Sequence, residues 1–341
     1  MTDLLERARE SYQRQQWTDA YTRLSAADRE IPLEPGDRER LATSACLVGK
    51  EEDSAENWVR AHQEHLRRGQ VARAVRCLFW LAHGLLNRGE HARGGAWITE
   101  ARRLLDEAPQ DCAERGYLLL PVAIKHLDEG DAASACEVLQ QAAEIGERFD
   151  DSDLIALARH GWGRALIRNG DSGEGVRMLD AAMVVVEAGN VSPIVAGEVD
   201  CSVISGCLEV YDLQRAQEWT SALTHWCASQ PDLVPYSNQC LVRRVEVMQL
   251  HGAWPEALDT VQRACERCLD GLDQVATGAA FYQQAELHRL SGDFVEAEEA
   301  YRQANRWGRN PQPGLALLRL EQGQIDTAAA AIRSQLDETH E

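Results

Sequence analysis

A spacing that recurs nine times constrains this chain more than any other feature. Positions 15, 49, 89, 130, 170, 211, 252, 292 and 323 anchor successive units 34, 40, 41, 40, 41, 41, 40 and 31 residues apart. The strong copies are Gly89, Gly130, Gly170, Gly252, Gly292 and Gly323; the weaker ones are Gln15, Gly49 and Tyr211. Five residues beyond each anchor stands a small side chain: Ala20, Ser54, Gly94, Ala135, Gly175, Ala216, Ala257, Ala297 or Ala328. Twelve beyond it stand Ala27, Ala61, Ala101, Ala142, Ala182, Ala264 and Ala304, with Leu223 and Gln335 as exceptions. Seven before the anchor, Ala82, Ala123, Gly163, Ala285 and Ala316 repeat the pattern. Each unit therefore reads as a helix A, a tight turn and a helix B. The turn needs a residue that tolerates φ > 0, and an Asp or Ser after it caps helix B. Small residues seven apart share one helical face, where a larger side chain would hold neighbouring helices apart. A hairpin array grows in one dimension and presents a surface, so binding is expected ahead of catalysis.

Composition agrees with an all-α chain. Hydrophobic residues make up 44%, enough for a continuous core, while only four Phe and ten Pro speak against a β-rich protein. The net charge of −20, with Lys50 and Lys125 the only lysines among 35 basic residues, offers no basic patch for phosphates. Direct nucleic-acid binding by this segment is not expected, and an acidic surface repels anionic lipid. The N-terminus lacks the apolar core of a signal peptide, and no stretch approaches the ~20 apolar residues of a membrane span. Ten scattered cysteines fit reduced thiols rather than a disulfide framework, which places the chain in the cytoplasm.

No catalytic signature stands in the sequence: no P-loop, no Gly-x-Ser-x-Gly elbow and no His-Glu-x-x-His, so an enzyme is not expected. Gly161-Trp-Gly163 starts like a dinucleotide loop, but Leu166 replaces the third glycine. Cys265-Glu-Arg-Cys268 has a metal-knuckle spacing without a second pair, and His62 and His65 share a helical face. Structural thiols and a solvated face are the simpler readings, and neither a metal nor a cofactor is expected. The tryptophans at 17, 58, 97, 219 and 254 open their B helices, where packing between hairpins accounts for them.

The turn glycine with small residues five and twelve later resembles the tetratricopeptide repeat over essentially the whole chain. That resemblance implies a helical-hairpin solenoid, a right-handed superhelix of about eight to nine repeats of ~40 residues. These repeats run about six residues longer than the family's, and the surplus is expected between helix B and the next helix A. Pro109, Pro193, Pro231, Pro235 and Pro311 fall in those connections. Strings such as Val191-Ser-Pro-Ile-Val-Ala-Gly197, Gln230-Pro-Asp-Leu-Val-Pro-Tyr236, Met248-Gln-Leu-His-Gly-Ala-Trp-Pro255 and Ala280-Phe-Tyr-Gln-Gln-Ala-Glu-Leu-His-Arg-Leu290 are more particular. They resemble the sensor region of actinobacterial LuxR-type transcriptional regulators with a MalT-like layout. The resemblance implies one array over 1–341, an N-terminal fragment ahead of a helix-turn-helix domain. Asp200 and Ser205 depart from it, since an aromatic and an acid are expected there.

In a tetratricopeptide superhelix, helix A lines the concave wall, and positions 13, 10, 6 and 3 before the anchor form an inward stripe. That rule selects as ligand-binding candidates Arg76, Phe79, His83, Tyr117, Leu120, Ile124, His160, Arg164, Cys201, Ser205, Gln239, Val242, Glu246, Tyr282 and Glu286. The stripe is mostly apolar with a few polar groups, the make-up of a small-molecule pocket. The competing reading packs the apolar members between helices and leaves the polar ones to water. About eight hairpins are expected to complete one turn around a central channel. The functional expectation is a sensor array that binds a small, largely apolar effector. A peptide or protein scaffold, or a stand-alone binder of a toxic compound, is the alternative, and a homodimer is left open.

Overall fold

The computed structural model describes the backbone of residues 2–230, 232–269 and 274–338, and their side chains except at 2–3, 235–239, 267–269, 274–275 and 337–338. Among the described residues there are helices and no strands. Nine antiparallel hairpins follow one another. They are α1 (Thr2–Gln13) with α2 (Trp17–Glu30), α3 (Pro35–Leu47) with α4 (Glu51–Arg67), and α5 (Val71–Asn87) with α6 (His91–Glu107). Next come α7 (Glu114–Tyr117) and α8 (Leu120–Asp128) with α9 (Ala132–Phe149), then α10 (Ser152–Arg168) with α11 (Ser172–Glu187). The series ends with α12 (Pro193–Glu209) and α13 (Leu213–Ser229), α14 (Pro235–Leu250) and α15 (Trp254–Leu269), α16 (Gln274–Ser291) and α17 (Phe294–Arg306), and α18 (Gly314–Glu321) and α19 (Ile325–Glu338). The fold is the tetratricopeptide-like helical-hairpin solenoid that the repeat spacing predicts.

All nine anchors adopt left-handed backbone, with φ from 58° at Gln15 and Tyr211 to 93° at Gly170. In every hairpin the N–H one residue past the anchor donates to the carbonyl five residues earlier, as from Glu90 to Leu85 (2.9 Å) and Asp171 to Leu166 (2.9 Å). This bond satisfies a carbonyl that the helix end would otherwise orphan, and it turns the chain sharply enough to start helix B at once. Asp131, Asp171 and Asp212 then accept from the backbone N–H three residues on, capping α9, α11 and α13. Gln15 and Tyr211 hold the conformation without glycine, at a cost of about 1 kcal/mol each.

The surplus residues lie only partly where the sequence suggested: 108–113, 188–192 and 307–313 are long connections, but others are short. The α4–α5 connection is 68–70 and the α9–α10 connection 150–151, while α4, α5 and α10 have 17 residues each and α9 has 18. Gly69 (φ 69°) and Asp150 (φ 52°) end their B helices with left-handed turns, so the next A helix begins immediately and the length goes into the helices. Pro193 opens α12, Pro109 and Pro311 sit in connections, and Pro231 lies outside the described residues. Pro121 interrupts the fourth helix A between α7 and α8, because it has no N–H for the Tyr117 carbonyl.

The chain divides into two compact units, one of Met1–Trp219 with His225–Val234 and one of Thr220–Thr224 with Pro235–Glu341. In the first, the segment after α13 returns to the opening hairpins. Buried Gln230 accepts from Trp17 Nε1 (2.9 Å), and the Val234 N–H donates to the Leu47 carbonyl (2.9 Å). Six hairpins rather than eight thus bring this unit back to its own start. In the second unit, Val242, Val245, Ala257, Val261, Ala264, Ala280 and Leu287 form a core between α14, α15 and α16.

Every small residue at the position five past an anchor is buried, from Ala20 to Ala328. The tightest approach of backbone to backbone at a glycine is α10 against α11. A Cβ on Gly163 would stand 2.7 Å from the Gly175 carbonyl oxygen, and one on Gly175 the same distance from the Gly163 oxygen. Neither obstacle is a side chain that could swing away. Gly95 is exposed on α6, and a Cβ added there would meet nothing within 4 Å. Gly163→Ala should therefore destabilise by about 1–3 kcal/mol through overpacking. Gly95→Ala should stabilise by about 0.5–1 kcal/mol through helix propensity. Urea unfolding midpoints measure both, and equal shifts in the two variants would refute the close helix approach.

Candidate functional site

The A helices carry the candidate residues, and in the first unit several of these meet one another. Arg76 on α5 reaches forward to the next two hairpins. Its Nη2 lies 2.9 Å from Glu114 Oε1 and 2.7 Å from Asp151 Oδ2, and its guanidinium stacks 4.1 Å above the Tyr117 ring centre. Tyr117 is fully buried and donates to the other Asp151 oxygen (2.8 Å). Asp151 also caps α10 by accepting from the Leu154 N–H (3.0 Å), so one carboxylate ties three hairpins together. Burial works against the Arg76 charge, but Tyr117, Asp151 and Glu114 outweigh it and raise its pKa. Burial pushes the Tyr117 phenol well above its usual range.

One turn along α5, the Phe79 ring packs edge-on against Tyr117 (4.9 Å between centres) and stacks on His83 (5.9 Å). His83 Nε2 stands 2.8 Å from Glu198 Oε2 on α12, an ion pair from the third hairpin to the sixth. His160 Nδ1 on α10 lies 3.0 Å from Ser202 Oγ, and Arg164 donates from Nη1 to the Ser202 carbonyl (3.3 Å) and pairs through Nη2 with Glu209. Burial alone would lower the His83 pKa, but the Glu198 charge outweighs it and the pKa rises. Burial raises the Glu198 pKa less than His83 lowers it, so Glu198 ends below its ordinary value. Burial drives His160 down to about 4, leaving it neutral.

In the second unit, Glu246 on α14 accepts from Gln283 Nε2 on α16 (3.1 Å) and pairs with Arg243 (2.6 Å). Buried Glu286 pairs with Arg289 (2.7 Å) and accepts from the Tyr301 hydroxyl. Gly314 leaves room for that contact, since a Cβ there would lie 2.1 Å from Glu286 Oε1. Tyr282 packs edge-on against Tyr301, with the Arg309 guanidinium 5.0 Å from its ring centre.

The stripe thus sorts into two kinds of residue. Phe79, Tyr117, Leu120, Cys201 and Val242 are buried among helices, and Ser205 Oγ donates back to the Cys201 carbonyl. Arg76, His83, His160, Arg164, Glu246 and Glu286 bond across neighbouring helices, whereas Ile124 is 55% exposed. The Gln239 and Cys268 side chains lie outside the described residues. His62 and His65 do not act together: His62 Nδ1 faces the Ala74 carbonyl, while His65 turns toward Glu39. Glu114, Asp151 and Ser202 in the first unit, and Gln283 in the second, bond to the selected residues although the stripe rule passes over them. Asp151 was findable as a cap in the run Asp150-Asp-Ser-Asp153, and Ser202 sits one residue beyond a selected position.

The histidines give the wall opposite pH dependences. His160 stays neutral when folded but takes a proton near 6.5 when unfolded, so stability falls as pH drops from about 6.5 toward 4. His83 has a raised folded pKa, so its contribution is complete below 6.5 and is lost as pH rises through the folded value. Melting temperatures measured between pH 7.5 and 4.5 should fall less steeply toward acid in His160→Gln than in the parent. They should fall more steeply in His83→Gln. Parallel curves for all three proteins would rule out this assignment.

No protein-family model and no curated protein matches the chain, but solved structures do. A Rap protein complexed with Competence and Sporulation Factor aligns with TM-score 0.59 and 11% identity, over 90% of this chain and 97% of that one. NprR in complex with its cognate peptide NprX aligns with TM-score 0.55 and 13% identity, over 77% and 78%. The apo form of RapI gives 0.53 and 12%, over 99% and 97%. At these identities the likeness is one of fold: a tetratricopeptide-like array of helical hairpins.

Proposed function

We propose that this chain is a non-catalytic sensor array that holds an extended, peptide-like ligand along the inner faces of its A helices. Two amide oxygens of the second unit carry the reading. Gln283 gives its Nε2 to Glu246, which fixes the amide orientation, and among the described residues no donor reaches its buried Oε1. The buried Gln249 Oε1 on α14 is in the same condition. A buried acceptor without a donor costs about 1–3 kcal/mol. An extended peptide offers N–H groups on alternating sides at about 3.3 Å per residue, the kind of donor both oxygens need. The apolar members of the stripe are largely consumed by packing, which weakens the case for an apolar pocket. NprR, solved with its cognate peptide, and the Rap protein, solved with its factor, lend support through the shared fold.

The second reading keeps a small, largely apolar effector in a cytoplasmic LuxR-type regulator, with a helix-turn-helix domain following this array. The aromatic cluster of Phe79, Trp80 and Tyr117 on the inner side of α5 and α7 favours it, with ring centres 4.9–6.3 Å apart.

Selection of the full chain against a displayed random-peptide library, with native mass spectrometry of co-purifying ligands, separates the two. Peptides of a common motif should emerge. Gln283→Ala should weaken their binding about tenfold, or about 1.4 kcal/mol, as titration measures. Recovery of a non-peptide metabolite alone, or full affinity in Gln283→Ala, would reject the peptide reading.

A further inference from the structure

Three consecutive helices of the first unit bring together donors that ligand binding does not use. Glu39 on α3, His65 on α4 and Cys77 on α5 place a carboxylate oxygen, an imidazole nitrogen and a thiol sulfur within 4.8 Å of one another. His65 and Cys77 are each 1% exposed, and Glu39 is partly exposed beside them. The His65 ring is held at both nitrogens: Nδ1 lies 2.7 Å from Gln70 Oε1 and Nε2 lies 2.5 Å from Glu39 Oε1. A carbonyl oxygen only accepts, so Nδ1 carries a hydrogen and Nε2 is the ring atom turned toward the carboxylate. Two lone pairs at that distance repel unless a proton or a metal cation stands between them. A polar partner on the far nitrogen is also the usual support of a metal-binding histidine, since it fixes tautomer and ring orientation.

We propose that Glu39, His65 and Cys77 bind one divalent ion of the zinc class, with solvent in the fourth tetrahedral position. The donor set selects the class. Calcium and magnesium take oxygen ligands, whereas one sulfur, one nitrogen and one carboxylate oxygen suit zinc and cobalt. Tetrahedral bonds of about 2.0–2.3 Å require donors roughly 3.3 Å apart. Glu39, the least buried of the three, swings outward to meet that, and the Cys77 thiol gives its proton to solvent on binding. The ion would clamp α3, α4 and α5 from a point one residue away from Arg76. The site stands independently of what the inner wall binds.

The full chain, reduced and freed of metal by a chelator, is titrated with Co²⁺ alone. One equivalent should produce the visible bands of tetrahedral cobalt together with a near-ultraviolet thiolate-to-cobalt charge-transfer band, and Zn²⁺ should displace both. Cys77→Ser should abolish the charge-transfer band, while Cys265→Ser in the other unit should leave it intact. Glu39→Gln, at a partly exposed position that spares the core, should keep the band and weaken affinity about tenfold or more. Absence of the band in the parent, its persistence in Cys77→Ser, or unchanged affinity in Glu39→Gln would overturn the proposal.

Discussion

Everything in this molecule hangs on a backbone hydrogen bond that closes each helix A. The N–H just past the anchor reaches the carbonyl five residues back, and the anchor must enter left-handed space to let it. That single bond fixes where helix B starts, and therefore which of its faces meets helix A. The small residues five and twelve positions later are useful only because the turn delivers them to the contact. At Gly163 and Gly175 the delivery is close enough that backbone touches backbone. Helix propensity supplies the rods, but the turn decides how they lie side by side.

With the hairpins placed, the inner wall follows from the chemistry of side chains that face one another across repeats. Charged groups taken from water need partners, and here the partners come from other hairpins. Arg76 finds Glu114 and Asp151, His83 finds Glu198, and Arg164 finds Ser202 and Glu209. These links turn a stripe of single residues into a connected surface. In the second unit, by itself, Gln283 Oε1 is left without a donor among the described residues.

The repeat, its turns and its buried small positions were legible because they depend on local backbone geometry, which sequence spacing encodes directly. Gln15 and Tyr211 could be placed despite lacking glycine, since their neighbours kept the register. The lengths of the connections were not legible. Gly69 and Asp150 end B helices as abruptly as the anchors end A helices, and nothing in the A-helix register refers to them. The candidate wall was half legible. A stripe rule selects one face of a helix but cannot tell Phe79, consumed by packing, from Arg76, held by its neighbours. It also misses Asp151, whose role comes from a helix start rather than a helix face.

The contacts of Gln230 and Val234 with the first two hairpins change how the first unit behaves as a polymer. A linear repeat array loses its ends most easily, because each terminal hairpin has one neighbour and fraying costs a single interface. Joining Trp17 to Gln230, 213 residues apart, gives the first hairpin a second neighbour and removes that weak end. Local opening of α1 and α2 then requires release of a contact on the far side of the sequence, so stability is shared around the unit. The same link adds a long-range closure, with its loop entropy, to an otherwise local set of contacts.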